Sequence, residues 1–313
     1  MVPALARAAV RPQKEVLAFY YGWYANPAPA GGDGHWANVL DTPAGGPYSS
    51  LDPATISGQV DTAKAAGITG LIASWWGQSD ITNQQLTPLL TAAEAKGIKV
   101  CAYLEQATTP EALAADIVYI YHTHAQSSAW LKLNGKPAIF VFDRVLQTLN
   151  LDGWQKARAL VEAQLPKALA FVGTANNPTE TAARRSAFDA LHIYSVQFDL
   201  SHKRMFNALW RLMYYWNWVG AQKGMAVTTA TLMPGYDDHL LPDRTGTRPI
   251  VDRMDGNTLR ALGDAARAAH PDWLLVVSFN EWLEASQIEP SKEFGDRELT
   301  TLKTISAKFL QRG

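Results

Sequence analysis

Glu281 and Glu284 are the residues of this chain whose type and spacing best suit them to chemistry. They stand in residues 273–290, WLLVVSFNEWLEASQIEP, beside Asn280 and Trp282 and ahead of Gln287 and Glu289. If the chain turns helically after Asn280, the two carboxylates face the same way, with Cβ atoms roughly 5–6 Å apart. A carboxylic acid and a carboxylate at about that separation are what glycoside hydrolysis uses. The same spacing also describes acids at a helix start, where they meet the positive end of the dipole. The pair alone leaves both readings open.

The element that must position the pair is the run before it. Residues 273–279 are apolar, rich in valine and leucine and too short for a core helix, which describes a buried parallel strand. Seven similar runs precede it, at 16–21, 70–75, 99–105, 137–143, 168–174, 190–195 and 225–232. Helical patterns follow them at 53–66, 83–96, 110–122, 152–163, 181–186, 203–222, 256–270 and 297–310. Asp52 and Pro53 suit the start of the first helix, and Gly67 and Gly97 suit the ends of the first two. Eight strands each followed by a helix predict a single α/β domain, a (β/α)8 TIM barrel over 15–313 behind a flexible tail at 1–14. An open doubly wound sheet would need a glycine-rich phosphate turn after an early strand, and the sequence has none.

A barrel of this kind carries its site at the C-terminal ends of its strands. There the sequence sets Tyr20, Tyr21, Trp23 and Tyr24 after the first strand, then Ser74, Trp75 and Trp76 after the second. Tyr103 and Glu105 follow the third, Asp143 and Arg144 the fourth, His192 and Tyr194 the sixth. Pro234 to Asp238 follow the seventh, and Asn280, Glu281 and Glu284 the eighth. Carboxylates framed by aromatics, with no lysine nucleophile and no phosphate loop, point to carbohydrate. Tyr21, Trp75, Trp76 and Tyr236 are expected to face sugar there, stacking on its apolar faces.

The remaining features exclude more than they suggest. The chain has 313 residues, 28 basic and 29 acidic side chains and a formal charge of −1, without basic runs, which argues against a nucleic-acid partner. No apolar stretch approaches the ~20 residues of a membrane span. Cys101, the single cysteine, lies within a strand pattern and is neither a disulfide partner nor a nucleophile. No GxSxG elbow is present. His122 and His124 are expected on the surface, and Asp237, Asp238 and His239 in a polar loop rather than around a metal, so no metal or cofactor is expected. Eleven tryptophans, 11 tyrosines and 10 phenylalanines suit sugar stacking. Residues 1–14 lack the apolar segment of a signal peptide. A cytoplasmic protein and a secreted or periplasmic one with its leader removed both fit, and a monomer is expected.

The motifs FYYGWYANP (19–27), DGHW (33–36), GGPYSSLDP (45–53), SWWG (74–77), PGYDD (234–238) and SFNEWLEASQIEP (278–290) together resemble glycoside hydrolase family 99. Arg244, Arg248, Asp252 and Arg253 fall where that family has an arginine-bearing segment. The resemblance implies a (β/α)8 barrel acting without metal as a retaining endo-α-mannosidase or endo-α-1,2-mannanase on an oligo- or polysaccharide. It implies Glu281 as a base that deprotonates the mannose 2-hydroxyl, giving a 1,2-anhydro sugar, and Glu284 as the acid. Glu105, Tyr21, Trp75 or Trp76, Asn280 and Tyr236 match residues around the cleavage point. Trp23, Asp143 and Tyr194 complete the expected binding set.

The chain departs from the family's usual residues at Leu283, Ala285 and Ser286, at Gln106 and Ala107 after Glu105, and at Arg144 and Val145 after Asp143. Another bacterial cell-surface polysaccharide therefore stands beside α-mannan as a substrate. A glycan-binding barrel without turnover is the third reading, and retention of both glutamates weighs against it.

Overall fold

The first strand, β1 (Glu15–Tyr20), is buried along its whole length, as a strand covered on both faces must be. The computed structural model describes residues 12–30, 32–201, 207–242, 244, 246 and 248–311. In it β1 pairs in parallel with β2 (Gly70–Trp75) on one side and β9 (Trp273–Val276) on the other. From β2 the sheet continues through β3 (Lys99–Leu104), β5 (Lys136–Val141), β6 (Ala170–Thr174) and β7 (Ala190–His192), and from β9 to β8 (Thr229–Leu232). A short β4 (Lys132–Leu133) makes an antiparallel hairpin with β5.

Eight parallel strands thus form a nearly closed barrel. Across the remaining seam, between β7 and β8, side chains take the place of a ladder. Thr229 Oγ1 donates to Leu191 O at 2.8 Å, and Thr231 Oγ1 donates to Ile193 O.

The helices are α1 (Pro53–Ala65), α2 (Ile81–Lys96), α3 (Pro110–Thr123), α4 (Asp143–Gln164), α5 (Pro178–Arg184), α6 (Gln197–Leu200), α7 (Ala208–Ala221), α8 (Asn257–Ala268) and α9 (Arg297–Leu310). Asp52 caps α1 by accepting from Thr55 N, and Gly97 ends α2 at φ 72°, a left-handed turn that glycine takes without a Cβ clash. α4 begins nine residues before the expected 152. It bends at Asn150, whose Oδ1 caps Asp152 N and Gly153 N as a second helix start. The extra turns carry Arg144 onto the rim. The start of the expected 203–222 helix lies outside the described residues, and α7 is capped by Asn207.

The strand period of two decides which rim side chains reach the barrel interior. On β1, Phe19 points inward against Tyr103, Phe140 and His192, with ring centroids 4.9–6.4 Å away, while Tyr20 points out to Gln59 of α1. His192, placed at the rim from sequence, belongs to this buried layer. Burial pushes its pKa down to about 3, and it sits between Tyr103 Oη and Gly173 O.

Most of the expected N-terminal tail lies outside the described residues, but Gln13 O accepts from Trp273 Nε1 and Lys14 Nζ donates to Phe309 O. Among the described residues no helix is long and apolar enough to cross a membrane.

Candidate active site

The loop after β9 is closed at its base. Ser278 and Ser286 bond through backbone (2.8 Å) and hydroxyls (3.0 Å), and Ser278 Oγ accepts from Glu281 N at 2.7 Å. At its crest the Tyr24 hydroxyl accepts from Trp282 N at 3.0 Å. Its single proton faces Asn280 O at 3.0 Å and Glu281 Oε1 at 3.4 Å. Behind the loop pack Trp36, Tyr48 and Trp282. Beneath Trp282, Glu289 accepts from Tyr48 (2.8 Å), Gln59 (2.8 Å) and Trp282 Nε1 (3.2 Å), while burial raises its pKa to about 7. The segments containing DGHW and GGPYSS therefore brace the loop that carries Glu281 and Glu284.

Glu281 and Glu284 open into one cavity of about 710 Å³ at the C-terminal mouth of the barrel, within the ~300–1,000 Å³ range of ligand clefts. Tyr21, Trp23, Trp76, Glu105 and Tyr194 line it with them, as do His35, Tyr103, Phe142, Arg144, Leu283 and Arg244, which were not on the expected list. Trp23 lies 4.7 Å from Tyr21 and stacks on His35 at 5.5 Å, giving the cavity an aromatic wall.

Four expected binding residues are elsewhere. Trp75 is one residue out of phase with Ser74, so it points away from the barrel and donates to Asn83 of α2. Asp143 is likewise out of phase with the inward Phe142 and pairs with Arg184 at 2.8 Å. Tyr236 is buried behind Arg244, bonded to it at 3.1 Å and to Asp238 at 3.0 Å. Asn280 has no exposure: its amide accepts from Tyr21 N and donates to Tyr21 O, both at 2.8 Å, and donates to Tyr48 Oη at 3.1 Å. It is a strut between the ends of β1 and β9. Trp75 and Tyr236, expected to face sugar, thus lie outside the cavity, and its aromatic wall is made by Tyr21, Trp23 and Trp76.

The two central carboxylates have unequal surroundings. Glu281 is 3% exposed, and its Oε1 accepts only from Leu283 N at 3.1 Å and weakly from Tyr24. Burial first, and then the neighbouring Glu284, raise its pKa well above the usual carboxylate range. Burial also raises Glu284, but against Arg244, whose Nη2 lies 3.3 Å from Oε1, and Tyr194, whose hydroxyl lies 3.0 Å from Oε2. Tyr21 Oη extends this chain, bonding to Tyr194 Oη at 2.6 Å. Glu105, bonded to Ser74 at 2.9 Å, is pushed up to about 7 by burial. Of the pair, Glu281 binds a proton more strongly, because among the described residues only Glu284 has a cation beside it.

The other candidates separate. His122 is exposed, whereas His124, expected on the surface, is buried with Nε2 2.9 Å from Asn83 Oδ1. Asp238 pairs with Arg244 and Arg248, and Asp237 with His239. Among the described residues no group of three or more His, Cys, Asp or Glu side chains could hold a metal.

A barrel that gathers buried carboxylates and aromatic side chains in one mouth has the form of a carbohydrate-cleaving enzyme. The model of glycosyl hydrolase family 99 matches residues 41–303, and the chain belongs to that family. It is 25% identical to a glycoprotein endo-α-1,2-mannosidase-like protein of Danio rerio over 88% of this chain and 70% of the relative. It is 24% identical to a glycoprotein endo-α-1,2-mannosidase of Xenopus laevis over 89% and 70%. The family 99 endo-α-mannosidase of Bacteroides thetaiotaomicron, solved with bis-tris-propane, superposes with a TM-score of 0.80 at 25% identity, covering 95% of this chain and 97% of the other. The chain is an endo-α-mannosidase-like glycoside hydrolase.

Proposed function

We propose that the protein cleaves internal α-mannosidic linkages of the α-1,2 type with retention, through a 1,2-anhydro sugar. Glu281 takes the proton of the 2-hydroxyl as O2 attacks C1, and Glu284 protonates the departing glycosidic oxygen. In the second step Glu284 takes a proton from water as its oxygen attacks C1, and Glu281 returns its proton to O2. Two displacements at C1 retain the configuration. The observation that carries this reading is the convergence of Glu281 and Glu284, two buried carboxyls with unlike partners, in one aromatic-walled cavity.

The Arg244 contact supports a second reading with the roles exchanged. A carboxyl beside a guanidinium is held ionised and suits a base, whereas Glu281, without a cation, suits an acid. Under the first reading the substrate adds a second hydroxyl donor to the charged form of Glu281, beside the Tyr24 hydroxyl at 3.4 Å.

Incubation with an α-1,2-mannan, followed by NMR of the freshly released ends, tests the activity. Oligosaccharides with retained configuration are expected, as is inertness of the 2-deoxy analogue. Inverted products, or normal cleavage of the analogue, would overturn the mechanism.

A further inference from the structure

Arg144 stands in the first turn of α4, exposed, on the wall of the cavity that holds Glu281 and Glu284. Its guanidinium carbon lies 4.8 Å from the ring centre of Trp76 and 5.4 Å from that of Phe142. Both rings line the same cavity, so the cation is held between two fixed faces. Among the described residues it has no hydrogen bond and no ion pair. The other arginine among the cavity's described residues, Arg244, bonds to Tyr236, Asp238 and Glu284. Its charge lowers the pKa of Glu105, but Glu105 bonds to Ser74 instead.

A guanidinium restrained by aromatics and left without a partner has its donors free for a ligand. Sugar hydroxyls do not need such a group; a carboxylate or a phosphate monoester accepts two of its parallel N–H bonds at once. We propose that Arg144 is a specificity residue for an acidic glycan, binding an anionic substituent on a sugar next to the one that is cleaved. The inference rests on the reading of the cavity as a glycan site, and narrows its substrate to chains bearing carboxylate or phosphate.

The test is binding by calorimetry with the intact protein, so that turnover is not required. Two pairs of probes separate the sources of charge: a glucuronomannan with its carboxyl-reduced form, and a phosphomannan with the same polymer after phosphate removal. The wild type is expected to bind one charged polymer about 10–100-fold more tightly than its neutral counterpart, the range of a charge-assisted bidentate contact. Arg144→Gln should bring that ratio close to one with an unchanged melting temperature, and Arg144→Lys should restore part of it.

Equal binding of charged and neutral forms, binding of neither, or a preference that survives Arg144→Gln would each overturn the proposal. A variant that shifts only the pH profile would overturn it too, because Arg144 would then serve Glu105 alone. Binding with charge preference but without cleavage of any of the four polymers would instead count against the proposed activity, and leave the anion site standing.

Discussion

Arg244 Nη2 lies 3.3 Å from Glu284 Oε1, on a side chain 12% exposed, and Glu281 has no comparable neighbour. This one contact gives a test of which carboxyl is the acid. Arg244→Met removes a charge that lowers the Glu284 pKa, so that pKa must rise. If Glu284 is the acid, it stays protonated to higher pH and the alkaline limb of kcat/KM moves up. If Glu284 is the base, the acid limb moves up instead. Profiles of wild type and variant from pH 4 to 9 decide between the two, and no movement of either limb would remove Glu284 from the chemistry.

Leaving-group chemistry gives an independent test. Glu284→Gln is expected to lose on the order of 10²-fold or more on a natural glycan. It should regain much of that on an aryl glycoside whose leaving group needs no proton. Glu281→Gln should be poor on both, because the 2-hydroxyl keeps its proton. Rescue of Glu281→Gln rather than Glu284→Gln would establish the exchanged roles.

The architecture was legible in the sequence because most barrel strands are short runs of mainly apolar residues between helical patterns, and each of the eight lies at its expected place. Their ends were overrun: β1, β3 and β7 stop at Tyr20, Leu104 and His192, short of the expected Tyr21, Glu105 and Ser195. The site was legible where residue type decides, as with Glu281, Glu284, Glu105 and Tyr194. It was misread where side-chain direction decides. Counting by twos from the inward Phe19, Tyr103 and Phe140 selects Tyr21, Glu105 and Phe142 and rejects Asp143, but which of the two phases faces inward is set by packing across the barrel. Asn280 is different in kind. Its partner is 259 residues away, and no local pattern shows that both of its polar ends are already used.

That strut carries a prediction about stability. Asn280→Ala would leave Tyr21 N and Tyr21 O without their partner in a buried place. A loss of about 3 kcal/mol is expected, from two unsatisfied groups at ~1–3 kcal/mol each. Urea unfolding at constant slope measures it, and a loss below about 1 kcal/mol would show that water replaces the amide.

Glu289 sets a pH dependence of folding. An unfolded glutamate titrates near 4.5, while burial raises Glu289 to about 7 in the folded chain. Between those values the folded state holds the extra proton, so stability falls as pH rises from 4.5 to 7 and then levels. The contribution is up to about 3 kcal/mol. Glu105 acts in the same direction over the same range. Urea midpoints at pH 5 and pH 7.5 should therefore differ, and Glu289→Gln should narrow the gap. An unchanged gap in the variant would mean that Tyr48, Gln59 and Trp282 keep this carboxylate ionised throughout.

The bonds between Tyr21 and Asn280 also bear on when a newly made chain becomes an enzyme. Translation delivers Tyr21 and Tyr24 early, yet the groups that fix them and the acids they surround arrive more than 250 residues later. Every product that terminates before Asn280 lacks both glutamates and the brace together. On the proposed mechanism such fragments would be catalytically silent, and activity would begin only after the circle of strands is complete.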